Sequence, residues 1–314
     1  MNRTVSGSGA IGGGFRWGVD IGGTTIVLGT ISDGAFRHTD TLGTDPEQTP
    51  DEILLRVKDS IMERDPSPEA VGVGIAGLVD AREGVLLSSP NLTRWRDYRL
   101  KDRLQELLGC PVMVDNDCNV FAIGALGRGL IPEEGLWLMV TLGTGIGGTI
   151  VNQGRVVYGS GFAGEFGHMT VKADGESCPC GSRGCWERYA AAGALSRYAM
   201  KRGAGSGLSP REIGTMAEKG MKSALMAFEE FGIWLGIGLQ NLWHCFSPEG
   251  VFLAGGLMGA CDHFLPHAEA EFRRRCQYPW RVAVLPESAQ AGAMGAALMT
   301  GMNGVRGLGG RQST

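Results

Sequence analysis

The sequence predicts an α/β fold in two lobes, with a metal-binding knot set into the second. Three observations carry that expectation. Strand-like and helix-like segments alternate in both halves of the chain. A strand, a glycine turn and a return strand occur twice, once in each half. Finally, residues 164–187 pack a Gly-Glu-Phe-Gly-His run and a cysteine cluster into one turn-rich stretch.

Length and composition set the frame. At 314 residues the chain has room for two domains of ordinary size, each with its own core. Hydrophobic residues make up 43% and charged residues 20%, the balance of a soluble globular protein. The net charge is −4 and no Lys/Arg stripe forms, which argues against a nucleic-acid partner. No apolar run is long and Gly-free enough to span a bilayer, so no membrane partner is expected. Three of the cysteines lie in the knot; Cys110, Cys118, Cys245, Cys261 and Cys276 are scattered and form no framework. With no secretory signal, that usage points to a reducing cytoplasm.

Residues 1–14 are rich in Ser and Gly, and the tail after Gly301 resembles them, so both ends are expected to be disordered. The expected division is a disordered segment at 1–16 and a smaller α/β lobe of 17–118 plus 288–301. A larger lobe of 119–287 carries the knot, and a disordered tail follows at 302–314.

In chain order, Trp17-Gly18-Val19-Asp20 reads as a buried strand that runs into Ile21-Gly22-Gly23-Thr24-Thr25 and returns through 26–31. A dinucleotide fingerprint or a P-loop would lead from strand into helix, and no Gly-Lys-Ser/Thr follows here. Backbone N–H groups and Thr hydroxyls at such a turn still suit phosphate oxygens, and Asp20 is placed to orient Mg²⁺ through its water shell. A Gly-Gly turn also closes many hairpins that bind nothing. The arrangement returns at residues 136–151, where a strand meets Thr141-Leu142-Gly143-Thr144-Gly145-Ile146-Gly147-Gly148 and a return strand follows. Two such turns look like a duplicated scaffold that clamps a polyphosphate from both sides.

Between them, residues 51–64 place Ile53, Leu54, Val57 and Ile61 on one helical face. Residues 71–80 read as a strand broken by glycine, and Asn91 lies in the Ser-Pro-Asn-Leu loop at 89–92. Residues 100–108 read as a helix with Leu104, Leu107 and Leu108 facing inward. Residues 111–114 form a short strand ending in Asp115-Asn116-Asp117-Cys118-Asn119, and a helix is expected from Val120. One of those polar residues suffices as an N-cap. Four are an excess, at the strand end where α/β enzymes place catalytic groups. Residues 209–245 are mostly helical, with Gly236 and Gly238 permitting close packing. Residues 250–254 form a strand that meets Gly255-Gly256, and 290–299 form a small-residue helix.

The knot offers His168, Cys178, Cys180 and Cys185, a complete tetrahedral Cys₃His set that suits Zn²⁺. Gly175, Gly181, Gly184 and Pro179 let the backbone turn tightly enough for the four to converge. A disulfide is the competing use, but cysteines in Cys-x-Cys sit too close for an unstrained bridge. Four protein ligands leave no open coordination position, so the metal is read as structural. Glu165 and Glu187 stand beside the ligands and are not needed by the metal, which suits a polar ligand site.

These motifs, in this order from about Trp17 to Met299, resemble the ROK family (repressors, open reading frames, kinases), and within it the bacterial glucokinase-like branch. Asp20-Ile21-Gly22-Gly23-Thr24 resembles the first phosphate motif, and residues 141–148 the second. Asn116-Asp117-x-Asn119 resembles the segment of the catalytic aspartate, and Ala254-Gly255-Gly256 the adenosine motif. The most specific match is Gly164-Glu165-Phe166-Gly167-His168 followed by Cys178-x-Cys180-Gly181-x-x-Gly184-Cys185-x-Glu187.

The resemblance implies an actin/hexokinase-like (ribonuclease H-like) ATPase fold with the active site in the cleft between lobes. It implies ATP, Mg²⁺ and structural Zn²⁺, and phosphoryl transfer to the 6-hydroxyl of a hexose. Asp117 would be the base, and Asn91, Asn116, Glu165, His168 and Glu187 would hold sugar hydroxyls. Asp20, Gly22, Gly23, Thr24, Thr141, Gly143, Thr144, Gly145, Gly255 and Gly256 would hold the nucleotide and its metal. His168 would serve zinc through one ring nitrogen and sugar through the other. Two departures stand out: Ala76 where proline is common, and Ala125 where an acidic residue is common. Glucose is the expected sugar, with N-acetylglucosamine, N-acetylmannosamine or fructose as alternatives, and a homodimer is the expected assembly. A sugar-responsive repressor is the competing class, but residues 1–16 are too short and Gly-rich for a helix-turn-helix.

Overall fold

The computed structural model describes residues 15–32, 35–45, 47–286 and 290–301. The segments expected to be disordered at 1–14 and 302–314 lie outside the described residues. Residues 15 and 16, assigned to the disordered segment from sequence, are ordered: Arg16 opens the first strand, and the Phe15 N–H donates to Asp65 Oδ2 at 3.0 Å. The chain divides into two compact units, Met1–Val120 with Gly292–Thr314, and Phe121–Ala291.

The first unit is built on β1 (Arg16–Ile21), β2 (Thr25–Ser32) and β3 (Ala35–Gly43), which form an antiparallel meander. Helix α1 (Pro50–Met62) follows. It starts in a reciprocal capping box between Thr49 and Glu52, with Pro50 at a position that needs no N–H donor. Its Ile53, Leu54, Val57 and Ile61 are buried, as their helical spacing requires. Strand β4 (Ala70–Ile75) pairs parallel to β1. The expected single strand at 71–80 stops there, because Gly77 takes φ +140°, and resumes as β5 (Leu78–Asp80). With β6 (Val85–Ser88) and β7 (Arg96–Tyr98), β5 forms a small separate sheet that spacing alone does not reveal. Helix α2 (Leu100–Leu108) buries Leu104 and Leu108, while Leu107 is partly covered. Strand β8 (Val112–Asn116) closes the order β3-β2-β1-β4-β8. It runs two residues further than its apolar run, so helix α3 (Asp117–Gly127) starts at Asp117 and not at Val120. The boundary between the units falls inside α3.

The second unit repeats the plan. Strands β9 (Leu136–Leu142), β10 (Ile146–Asn152) and β11 (Arg155–Val156) form an antiparallel meander. The turn between β9 and β10 is Gly143-Thr144-Gly145 alone, and Gly147 and Gly148 belong to the return strand. After a 3₁₀ turn at Phe166–His168 come α4 (Glu187–Ala190), α5 (Ala192–Lys201), α6 (Pro210–Glu218) and α7 (Lys222–Phe246). The long helical stretch breaks between α6 and α7, where Gly220 takes φ +75°. Strand β12 (Gly250–Ala254), a 3₁₀ turn (Met258–His263), α8 (Leu265–Arg275) and β13 (Val282–Val284) complete the unit, and β12 pairs parallel to β9. The sheet order is β11-β10-β9-β12-β13. In both sheets, therefore, the first strand of a meander pairs in parallel with a strand reached by crossover, which pairs in parallel with the next.

Each unit has its own core. Phe228, Phe231, Leu235, Leu239 and Trp243 of α7 are buried with Phe264, Ala268 and Phe272 in the second. In the first, α9 (Ala291–Met299) lies directly on the sheet. A Cβ on Gly18 or Gly72 would stand 1.8 Å from the Ala293 or Ala296 carbonyl oxygen, so glycine in β1 and β4 is what admits the helix. No described helix is long and apolar enough to cross a membrane.

Candidate functional site

In the first unit the predicted groups gather at the carboxyl ends of β1, β4 and β8. The tip Gly22-Gly23-Thr24 joins β1 to β2. It is braced from the end of β3, where Thr44 donates its N–H to Thr24 O at 2.8 Å and its hydroxyl to Gly22 O at 3.0 Å. Asn91 packs on this tip, since a Cβ on Gly23 would stand 2.8 Å from Asn91 Cβ.

Asp20, one residue before the end of β1, lies against the start of α9, where a Cβ on Gly292 would stand 2.1 Å from Asp20 Oδ2. Burial pushes the Asp20 carboxyl up to about 7, and the nearby charge of Asp117 adds to the push. Two carboxylates from segments far apart in the chain thus share one field.

The β8–α3 junction that presents Asp117 is held by its neighbours. Asp115 is buried, and its Oδ1 accepts from the Asn116 N–H at 2.7 Å and from Asn119 Nδ2 at 2.9 Å. Asn116 Oδ1 accepts from the Cys118 N–H at 2.8 Å, and its Nδ2 donates to Gly77 O at 2.8 Å. Among the described residues, that contact uses one of the two N–H groups of the amide. Ala76 stands one residue from the Gly77 carbonyl that orients Asn116, so this departure from the family pattern lies next to the site. Asp115 was not among the predicted site residues. Its signal was its place in the polar excess at the end of β8, but nothing local distinguishes the group that braces from the group that reacts.

In the second unit, Gly143-Thr144-Gly145 turns between β9 and β10. The Gly143 carbonyl accepts the Ala192 N–H at 2.9 Å, which ties the turn to the start of α5. Gly255 takes φ +101° where the chain leaves β12, and a Cβ there would stand 2.5 Å from Leu142 O. Gly256 beyond it is exposed, with open space where a Cβ would project. Thr141 lies within β9, one residue before its end.

The knot adjoins this turn, because a Cβ on Gly145 would stand 2.9 Å from Glu187 Oε2. His168 lies between the two carboxylates, with Nε2 3.8 Å from Glu165 Oε2 and Nδ1 3.8 Å from Glu187 Oε1. Burial, with a smaller push from Glu187, raises the Glu165 carboxyl above its ordinary range, while His168 opposes the shift.

The four predicted ligands converge. One donor atom from each of His168, Cys178, Cys180 and Cys185 lies within 4.8 Å of the others. A tetrahedral zinc ion would separate two sulfurs by about 3.8 Å and a sulfur from a nitrogen by about 3.6 Å. The Cys180–Cys185 sulfurs are 3.6 Å apart, and Cys178 Sγ is 3.8 Å from His168 Nδ1. The residues therefore fit the ion, with Nδ1 facing the thiols and Nε2 turned toward Glu165.

The backbone makes this convergence through two strand-like bridges, Thr170 to Cys185 and Ser177 to Arg183. Gly184 lies at their crossing with φ +72°, and a Cβ there would stand 1.8 Å from Lys172 O. Trp186 anchors the knot on α7: its ring covers Gly238, and its Nε1 donates to Trp234 O at 2.9 Å.

A family model described as the ROK family matches residues 16–302. The chain is 33% identical over 281 residues to a glucokinase of Streptomyces coelicolor, covering 83% of this chain and 88% of that one. It is 34% identical over 272 residues to the xylose repressor of Bacillus subtilis, covering 83% of this chain and 69% of the repressor. A solved ROK family glucokinase from Streptomyces griseus, in complex with glucose and AMPPNP, is similar with a TM-score of 0.77 and 34% identity. That match covers 90% of this chain and 98% of the other.

Proposed function

The chain belongs to the ROK family, and from that premise we propose that it is an ATP-dependent hexose kinase acting on the 6-hydroxyl of glucose. The observation that carries the reading is the Asp20–Asp117 pair beside the Gly22-Gly23 tip. A protein that merely binds sugar needs no second carboxylate there. Phosphoryl transfer needs one group to take the proton of the attacking hydroxyl and another to help hold the cation that screens phosphate charge.

On this reading Asp117, held by the Asp115–Asn116–Asn119 brace, accepts the hydroxyl proton. Backbone N–H groups at the 22–24 and 143–145 turns stabilise charge on the transferring phosphoryl group, and Thr141, Gly255 and Gly256 complete the nucleotide contacts. Mg²⁺, associated with Asp20, would supply charge neutralisation. Asn91, Asn116, Glu165, His168 and Glu187 bind and orient the sugar hydroxyls. Zinc held by His168, Cys178, Cys180 and Cys185 would have a closed set of four ligands and a structural role. Holding the ion through Nδ1 would fix the His168 ring and leave Nε2 for Glu165 and the sugar.

Glucose is preferred over other hexoses because the Streptomyces coelicolor and Streptomyces griseus relatives are glucokinases. The similarity to a xylose repressor supports a second reading, a sugar-sensing repressor that binds a sugar without turning it over.

A coupled assay with Mg²⁺ and ATP or polyphosphate separates these readings, run against glucose, mannose, fructose, N-acetylglucosamine and N-acetylmannosamine. The highest kcat/KM is expected for glucose with ATP. An N-acetyl sugar that beats glucose by about tenfold, or about 1.4 kcal/mol in transition-state binding, overturns glucose but not the kinase. Sugar binding without turnover of any sugar favours the repressor reading.

A further inference from the structure

On the side of the knot formed by Lys172, Gly175 and Glu176, the second unit holds a cavity of about 370 Å³. Besides those three, Arg183, Lys201 and Trp234 shape it, with Tyr189 and Tyr198 in its wall. Its size falls within the range of small-metabolite sites.

Two of its three carboxylates are already engaged. Glu176 faces two guanidinium groups, Arg197 at 3.0 Å and Arg188 at 3.6 Å, and Glu230 is paired with Arg202 at 3.1 Å. The lining itself carries three cations, Lys172, Arg183 and Lys201. The carboxylates Asp174, Glu176 and Glu230 are three. Neither Lys172 nor Lys201 forms an ion pair among the described residues. The Lys172 ammonium instead lies over two rings, 5.8 Å from the centroid of Tyr189 and 5.7 Å from that of Trp234. The tyrosine hydroxyls are already engaged: Tyr189 accepts the Glu176 N–H, and Tyr198 donates to Tyr189 O. With Glu176 and Glu230 held by arginines outside the lining, the cavity sets Lys172, Lys201 and Arg183 against Asp174 alone, beside the aromatic surface of Trp234.

We propose that this cavity is a second ligand site, for a small phosphate monoester. Lys172 and Lys201 would meet the phosphate dianion, with Arg183 available as a third cation, and the body of the ligand would lie toward Trp234. The site shares its backbone with the knot. Gly184, next to Cys185, accepts the Val171 N–H at 2.9 Å and donates to Glu176 O at 2.8 Å, so an occupant presses on the segment that positions Glu187. Two sources share this chemistry: a hexose phosphate, which the proposed reaction would produce, and a nucleoside monophosphate. Only the naming of the first source rests on the kinase reading.

The test is calorimetric titration of the full chain with glucose 6-phosphate, AMP and inorganic phosphate, without sugar or ATP. Wild type is compared with Lys172→Gln/Lys201→Gln, and circular dichroism verifies folding. For at least one ester, wild type should bind one more equivalent per chain than the double variant. If the kinase reading fails, that difference persists as one equivalent against none, so the two failures are distinguishable. Glucose 6-phosphate as the differing ligand identifies the sugar source, and AMP the nucleotide source. Lys201→Gln alone, at an exposed position, should weaken the same binding by roughly tenfold or more, which keeps the test alive if the double variant misfolds. Equal stoichiometry and affinity in wild type and variants for all three ligands overturns the site. A difference seen with inorganic phosphate and with neither ester overturns the monoester assignment.

Discussion

Replacing Asp20 with Asn should remove a large part of the pH dependence of stability. The Asp20 carboxyl is raised from 3.8 to about 7, by burial first and by Asp117 second. Its folded-state pKa lies above its unfolded value, so the folded protein keeps a proton that the unfolded chain has lost. The stabilisation from this group is complete below the unfolded pKa of 3.8 and is lost as pH rises through about 7. Between about pH 5 and about pH 8 the loss spans roughly two pH units at about 1.36 kcal/mol each, or about 2.7 kcal/mol. Urea denaturation at those two pH values, without added Mg²⁺ or nucleotide, measures it. Wild type should lose about 2.7 kcal/mol more than Asp20→Asn on going to the higher pH. Carboxyl ¹³C NMR should show Asp20 titrating near 7, and Mg²⁺ with nucleotide should pull that midpoint down, because a nearby cation favours the carboxylate. A variant whose stability changes with pH as steeply as that of wild type would refute the reasoning.

Further expectations follow from the same geometry. Asp117→Asn should lower kcat by about 10²–10⁴-fold with sugar binding and fold retained; near-normal turnover would move attention to Asp115. Protein purified without chelator should carry one zinc per chain by elemental analysis. Cys180→Ala should lower both metal content and sugar affinity, because the same knot places Glu165 and Glu187; zinc-free wild type would count decisively against the metal. Gly184→Ala should cost about 2–4 kcal/mol, from a left-handed backbone at φ +72° and a Cβ 1.8 Å from Lys172 O, and should loosen metal retention. An unchanged melting temperature with full zinc content would show that the crossing at Gly184 is less tight than its geometry implies.

Periodicity, turn residues and ligand spacing act over a few residues, and what they control was readable in the sequence. The apolar face of α1, both hairpins with their glycine tips, and the Cys₃His set all belong to this class. The local reading failed where a boundary depends on neighbours. Strand β8 continues through Asp115 and Asn116 because β4 pairs with it to the end, and α3 therefore starts on Asp117. Strands β6 and β7 are short and exist through pairing, β6 with β5 and β7 with β6. In the same way, Asn91 acquires its place from the Gly23 tip against which it packs.

The electrostatics of the site were out of reach for the same reason. Residue type alone makes Asp20 an ordinary carboxylate. Its pKa is set by the surface that covers it, including the start of α9 from the far end of the chain, and by the charge of Asp117 at the head of α3. The sequence by itself determined which chemical groups are present and the short-range geometry of each motif. Only the tertiary structure decided which of them share a field, because burial and Coulomb interactions depend on distance through space and not along the chain.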